Sequence, residues 1–251
     1  MNKSQGRLIA HLPNTLTALN LFSGALATVF ALQGALVPAA LLILAGFFFD
    51  LTDGLTARLL KVQSAIGKEL DSLADLISFG MAPAAILFTI SLRQSGELPL
   101  DFSQPLSTWW VFLIPFILPV FAGLRLAKFN VDENQTDHFS GLPTPANGLM
   151  VLVLPLVLRY QPDSFLISWL ESAWFIPCYS LIISLLMVSR IRLHSLKMKG
   201  FSWRQSRLTY LLILLCLPLI VGLGLTGIFF IIPVYVVYTM VLAKIRLGRH
   251  S

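Results

Sequence analysis

Long apolar runs separated by short polar stretches dominate the chain, and in order they predict eight membrane-spanning helices. Pro13 and Asn14 can open the first, from about Thr15 to Leu32, and Gly34 marks the turn after it. The second runs from about Leu36 through Phe49 and carries Asp50 and Asp53 at its far end. A third runs from Glu69 to about Ser91, with Asp71 and Asp75 in its first turns, where the helix dipole favours acids. The polar loop from Leu92 to Thr108 leads to span four, Trp109 to about Leu126. Pro115 and Pro119 fit there if neighbouring helices satisfy the freed carbonyls. The loop from Lys128 to Ser140 precedes a fifth span, which starts at Gly141 and ends near Arg159. The sixth runs from about Leu170 to Ser189. A basic segment, Arg190 to Arg207, separates it from spans seven (Leu208 to Leu225) and eight (Gly227 to Ala243). Those two form a tight hairpin interrupted only at Thr226 and Gly227.

Composition agrees with this pattern. Of 251 residues, 56% are apolar and 12% charged, against about 25% charged in an ordinary soluble domain. The mean hydropathy is +0.80. The spans use most of the length, so residues 1–251 read as one all-α integral membrane domain. The first apolar run has no small-residue cleavage signature after it, so no cleavable signal peptide is expected. Cys178 and Cys216 both fall in predicted spans and read as packing residues rather than a disulfide or metal site. His11, His138, His194 and His250 are scattered, without metal-ligand spacing, and only His138 lies in a loop able to approach the acids.

The net charge of +6 points to anionic lipid headgroups rather than nucleic acid in a chain this apolar. It also sets orientation. With the N-terminus inside, 16 of the 18 basic residues fall on the inside, and only Arg93 and Arg159 fall outside. That orientation puts all four aspartates at the cytoplasmic face of an inner or plasma membrane.

The acids lie in one stretch, DLTDGLTARLLKVQSAIGKELDSLAD, from Asp50 to Asp75. Asp50 and Asp53 are three apart and Asp71 and Asp75 four apart, so if both pairs lie on helices each presents two carboxylates from one face. Converging carboxylates suit hard divalent cations, and acids near a membrane are functional candidates by default. Gly54 and Ala57 are small enough for a bulky ligand to approach the backbone, and Gly67 permits a tight start to the third helix. These features fit a cation site in a transporter equally well, although a transporter predicts an internal repeat and the sequence shows none. A membrane scaffold would give no reason for the glycine and arginine positions between the acids.

The spacing D-x2-D-G-x2-A-R-x8-G-x3-D-x3-D resembles the signature of the CDP-alcohol phosphatidyltransferase family at every defined position. Further segments resemble its serine-accepting branch. They are Leu12 to Thr17 with Asn20-Leu21, Asp71 to Gly80 with Ala82-Pro83, Arg125 to Asn130, and Phe139 with Gly141 to Pro145. The resemblance implies a helical membrane enzyme, usually a homodimer, acting on CDP-diacylglycerol and L-serine with two divalent ions, Mg²⁺ or Mn²⁺. Residues 12–160 would form the catalytic core and 170–243 additional helices. By motif position, Asp50, Asp53, Asp71 and Asp75 would bind metal. Asp71 and Asp75 would be catalytic, with Asp75 the general base. Asp53, Gly54, Ala57 and Arg58 would line the CDP site. Arg125 is the candidate for the serine carboxylate or lipid phosphate, with Lys128, Asn130 and Thr144 behind it. Lys61 and Lys128 leave a glycerol 3-phosphate acceptor, hence phosphatidylglycerophosphate synthesis, as the alternative.

Overall fold

A backbone in hydrocarbon must satisfy its own polar groups, and helices do this within one segment. The computed structural model describes residues 3–62, 64–96, 103, 105, 109–131, 139–189, 191–193 and 203–247. His138 and, in the basic segment, Arg190 and residues 194–202 lie outside these. Among the described residues, each of the eight expected spans coincides with a helix. These are α1 (Lys3–Leu32), α2 (Leu36–Leu60), α3 (Ala65–Ser95), α4 (Trp110–Val131), α5 (Thr144–Tyr160), α7 (Phe175–Val188), α8 (Trp203–Leu223) and α9 (Leu225–Leu247). A short α6 (Phe165–Leu170) lies between α5 and α7. Among the described residues, four helical stretches are long and apolar enough to cross a membrane: His11–Leu32, Leu36–Leu60, Ala65–Ser95 and Trp110–Val131. The later apolar stretches, Thr144–Tyr160, Phe175–Val188, Leu211–Leu223 and Leu225–Val241, are shorter. The protein is a polytopic helical membrane protein.

Several expected boundaries move. Pro13 does not open α1 but lies inside it. α2 does not stop at Phe49; it continues to Leu60, so Asp50 and Asp53 sit within a helix. It ends at Lys61, whose left-handed backbone (φ 54°) caps the Ala57 and Arg58 carbonyls. α3 begins at Ala65, not Glu69, because Ser64 is its N-cap and accepts the Gly67 N–H at 2.9 Å. Asp71 and Asp75 therefore lie beyond the first turn, where the helix dipole has faded. The α8–α9 break falls at Gly224 (φ 58°) rather than at Thr226-Gly227. Gln161 holds that break by donating to the Leu223 carbonyl at 3.2 Å and accepting the Thr226 N–H at 3.0 Å.

α1 packs along α2, and α1, α2, α4 and α5 surround α3. Ala27, Ala31, Ala39, Ala40, Ala82 and Ala85 are fully buried in this core. Such small residues let membrane helices approach closely. A two-residue antiparallel pairing, Phe139–Ser140 with Arg192–Leu193, ties the segment before α5 to the one after α7.

α3 is not regular throughout. A π-helical segment, Leu76–Met81, follows Asp75 directly, and such bulges are frequent at functional sites. Pro83 has no N–H to return to the Phe79 carbonyl four residues earlier. Asn147 of α5 supplies the missing donor, Nδ2 to the Phe79 carbonyl at 2.8 Å, and its Oδ1 accepts from the Tyr179 hydroxyl at 3.2 Å. One buried amide thus joins α3, α5 and α7 below the acids.

Candidate active site

Two neighbouring helices supply the four acids, Asp50 and Asp53 from α2 and Asp71 and Asp75 from α3. Asp50, Asp53 and Asp71 each place a carboxylate oxygen within 4.8 Å of the others. Asp75 adjoins this trio, within electrostatic range of Asp50, Asp71 and the Arg125 guanidinium from α4.

Neighbouring side chains fix the buried members. Asp53 is buried, and its Oδ2 accepts from the Thr17 hydroxyl of α1 at 2.5 Å. Asp75 is buried, and its Oδ2 accepts from the Thr144 hydroxyl, at the start of α5, at 3.4 Å. The Oδ1 atoms of Asp71 and Asp75 and the Nε of Arg125 are buried without a hydrogen-bond partner. An unsatisfied buried polar group costs about 1–3 kcal/mol, and more when charged. An all-oxygen donor set with idle carboxylate oxygens fits a hard divalent cation. Asp50, Asp53 and Asp71 have the geometry to hold one.

A cavity of about 620 Å³ opens beside the acids. Its walls include Asp53, Gly54, Ala57, Arg58, Gly67 and Asp71, the residues of the spaced motif. A side chain added at Gly54 would meet no atom within 4 Å, so that backbone faces open space. Gly67 is the opposite case. A Cβ there would lie 2.7 Å from Asn14 Oδ1 and 2.8 Å from Ser64 Oγ, so it is small for close packing.

The structure therefore brings Asp53, Gly54, Ala57, Arg58 and Asp71 to one cavity, sets Asp50 against Asp53 and Asp71, and places Asp75, with Arg125 and Thr144, beside those acids rather than in the cavity wall. Two other expected residues stand apart. Lys128 is exposed and does not line the cavity. Asn130 donates to Ser72 Oγ at 2.9 Å and its carbonyl accepts from Lys68 Nζ at 3.1 Å, joining the end of α4 to the start of α3.

Sequence reasoning missed Asn14, Thr17, Ser64 and Lys68 as lining residues, and Asn147 as the brace of the π segment. A signal for α1 was present, because Asn14, Thr17, Asn20 and Gly24 form a polar or small stripe at helical spacing in an apolar run.

The sequence model of a family described as CDP-alcohol phosphatidyltransferase matches residues 10–186. The chain is also similar to three bacterial proteins called CDP-diacylglycerol–serine O-phosphatidyltransferase. Identity to that of Mycobacterium leprae is 35% over 187 residues, covering 72% of this chain and 57% of the relative. Identity to that of Helicobacter pylori is 28% over 229 residues, covering 91% and 89%. For Bacillus subtilis it is 31% over 159 residues, covering 61% and 78%. The chain thus spans little more than half of the mycobacterial relative and most of the other two.

Proposed function

This chain belongs to the CDP-alcohol phosphatidyltransferase family, and we propose that it transfers the phosphatidyl group of CDP-diacylglycerol to L-serine, giving phosphatidylserine and CMP. The observation that carries this is the junction of the Asp50, Asp53 and Asp71 trio, with Asp75 beside it, and the cavity lined by Asp53, Gly54, Ala57 and Arg58. The names of the similar bacterial proteins support serine as the acceptor.

In this reading the cytidine diphosphate enters the cavity over Gly54 and Ala57, whose lack of bulk admits it. Arg58, at the end of α2, binds a phosphate, for which its planar fork is suited. Asp50, Asp53, Asp71 and Asp75 would hold two divalent ions, Mg²⁺ or Mn²⁺, which when bound would neutralise the diphosphate and the charge that develops on its oxygens. Thr17 and Thr144 fix the orientation of Asp53 and Asp75. Asp75 accepts the proton of the serine hydroxyl. The hydroxyl oxygen forms a bond to the phosphorus attached to diacylglycerol, the bond from that phosphorus to CMP breaks, and CMP leaves. Arg125, beside Asp75, receives the serine carboxylate.

Residues 12–160 form the catalytic core in this account, and residues 170–243 add helices around it. The site faces the cytoplasm from a prokaryotic inner or plasma membrane, where lipid tails stay in the bilayer and the soluble reactants arrive from water. The functional unit is a homodimer. The test of the acceptor is a panel with purified protein and labelled CDP-diacylglycerol. CMP release with L-serine, and none with glycerol 3-phosphate or inositol, is expected. Release with glycerol 3-phosphate alone would assign the chain to phosphatidylglycerophosphate synthesis.

A further inference from the structure

The two basic residues that break the inside-positive pattern lie together. Arg93 closes α3 and Arg159 closes α5. Both line one cavity of about 470 Å³, with Gly34, Leu36, Val37, Pro38, Ile90 and Leu158 among its other walls. This is the end of the bundle opposite the acids. Arg93 is 22 residues along α3 from Asp71, a rise of roughly 33 Å, about one bilayer core. Arg159 is as far down α5 from Thr144 as 15 residues allow, roughly 22 Å.

A single arginine near a helix end is accounted for by snorkelling to the interface. Two arginines sharing one concave wall with an apolar floor form a different arrangement. Arg93 is also fixed in place, donating Nη2 to the Gly34 carbonyl at 2.5 Å, which uses one of the five guanidinium donors. No carboxylate is among the lining residues described. Cations at the rim and aliphatic side chains below match an anionic phosphodiester with an acyl chain attached.

We propose that this cavity binds one anionic phospholipid of the leaflet opposite the acidic site, with its phosphate between Arg93 and Arg159 and a chain along Val37, Pro38 and Leu158. The site is separate from the phosphatidyl-transfer chemistry and does not depend on it. Free phosphate shares the headgroup chemistry, but the aliphatic wall favours the lipid.

The test uses the full-length protein in proteoliposomes with phosphatidylglycerol carrying a photoreactive acyl chain, followed by peptide mapping. Labelling is expected on the segments around residues 34–38 and 155–159, with competition by unlabelled phosphatidylglycerol. Diacylglycerol and inorganic phosphate at equal concentration should not compete. The pair R93Q/R159Q should lower labelling there by at least about tenfold, the loss expected for two charge-assisted contacts. Because R93Q also removes the bond to Gly34, Val37→Trp, which keeps both arginines and fills the apolar wall, is the second variant and should lower labelling similarly. Labelling unchanged in both variants, or displaced equally by diacylglycerol, would overturn the proposal. Displacement by inorganic phosphate would overturn the lipid assignment in favour of a free-anion site.

Discussion

Thr17 donates a hydrogen bond to Asp53 Oδ2 at 2.5 Å, linking α1 to the acidic cluster across 36 residues of sequence. The bond orients a buried carboxylate whose other neighbours, Asp50 and Asp71, repel it. Partners of this kind, one step removed from a metal ligand, typically change metal affinity or activity by about 10–100-fold when lost. Thr17→Val should therefore raise the Mg²⁺ or Mn²⁺ concentration needed for half-maximal CMP release by about tenfold, while Thr17→Ser keeps it near wild type. A metal titration of all three proteins reads this. Identical curves for Thr17→Val and wild type would remove Thr17 from the site.

Gly54 separates ligand space from stability. Alanine is favoured over glycine in a helix by about 1 kcal/mol, and nothing lies within 4 Å of the added Cβ. Gly54→Ala should keep or raise Tm while raising the KM for CDP-diacylglycerol by about tenfold, the cost of roughly 1.4 kcal/mol of lost contact. Thermal denaturation and initial rates on the same preparation check both halves. An unchanged KM would show that the headgroup does not pass over Gly54.

Asn147 carries a structural load. Asn147→Leu strips the Phe79 carbonyl of its donor and leaves the Tyr179 hydroxyl without its acceptor. The expected loss is about 1–3 kcal/mol for a buried group left unsatisfied, read as a lowered Tm in detergent. Tyr179→Phe removes only one donor and should cost less, about 0.5–1.5 kcal/mol.

The helical pattern was legible in the sequence because apolar runs, Gly34 and the charge asymmetry act locally. The motif residues of the site were legible for a similar reason. Asp50 to Asp75 lie within one hairpin, and their spacing puts each pair on one helix face, so that the two pairs can converge. What escaped depends on contacts between distant segments. Thr17 matters only because α1 packs on α2. Asn147 matters only because Pro83 frees a carbonyl that α5 happens to face. Lys128 and Asn130 lie close in sequence to Arg125, yet the helix turns Lys128 out to an exposed face and Asn130 towards Ser72. The end of α2 was misplaced because polar residues after Phe49 resemble a loop, while the helix runs on to the Lys61 cap.

Direct attack makes a stereochemical prediction. CDP-diacylglycerol with a chiral phosphorus at the diacylglycerol end should yield phosphatidylserine of inverted configuration. Retention would require two displacements and a covalent enzyme intermediate. Chelation by EDTA should abolish CMP release, and added Mg²⁺ or Mn²⁺ should restore it, since the all-carboxylate cluster suits those ions.

The most direct measurement is serine-dependent CMP release by Asp75→Asn beside the wild-type protein, at saturating metal and equal Tm. Asn keeps the shape of Asp75 and the contact with Thr144 but cannot accept the proton of the acceptor hydroxyl. Loss of a positioned general base predicts a fall in kcat of about 10²–10⁴-fold. Metal-dependent, serine-dependent turnover near the wild-type rate in Asp75→Asn would contradict the account.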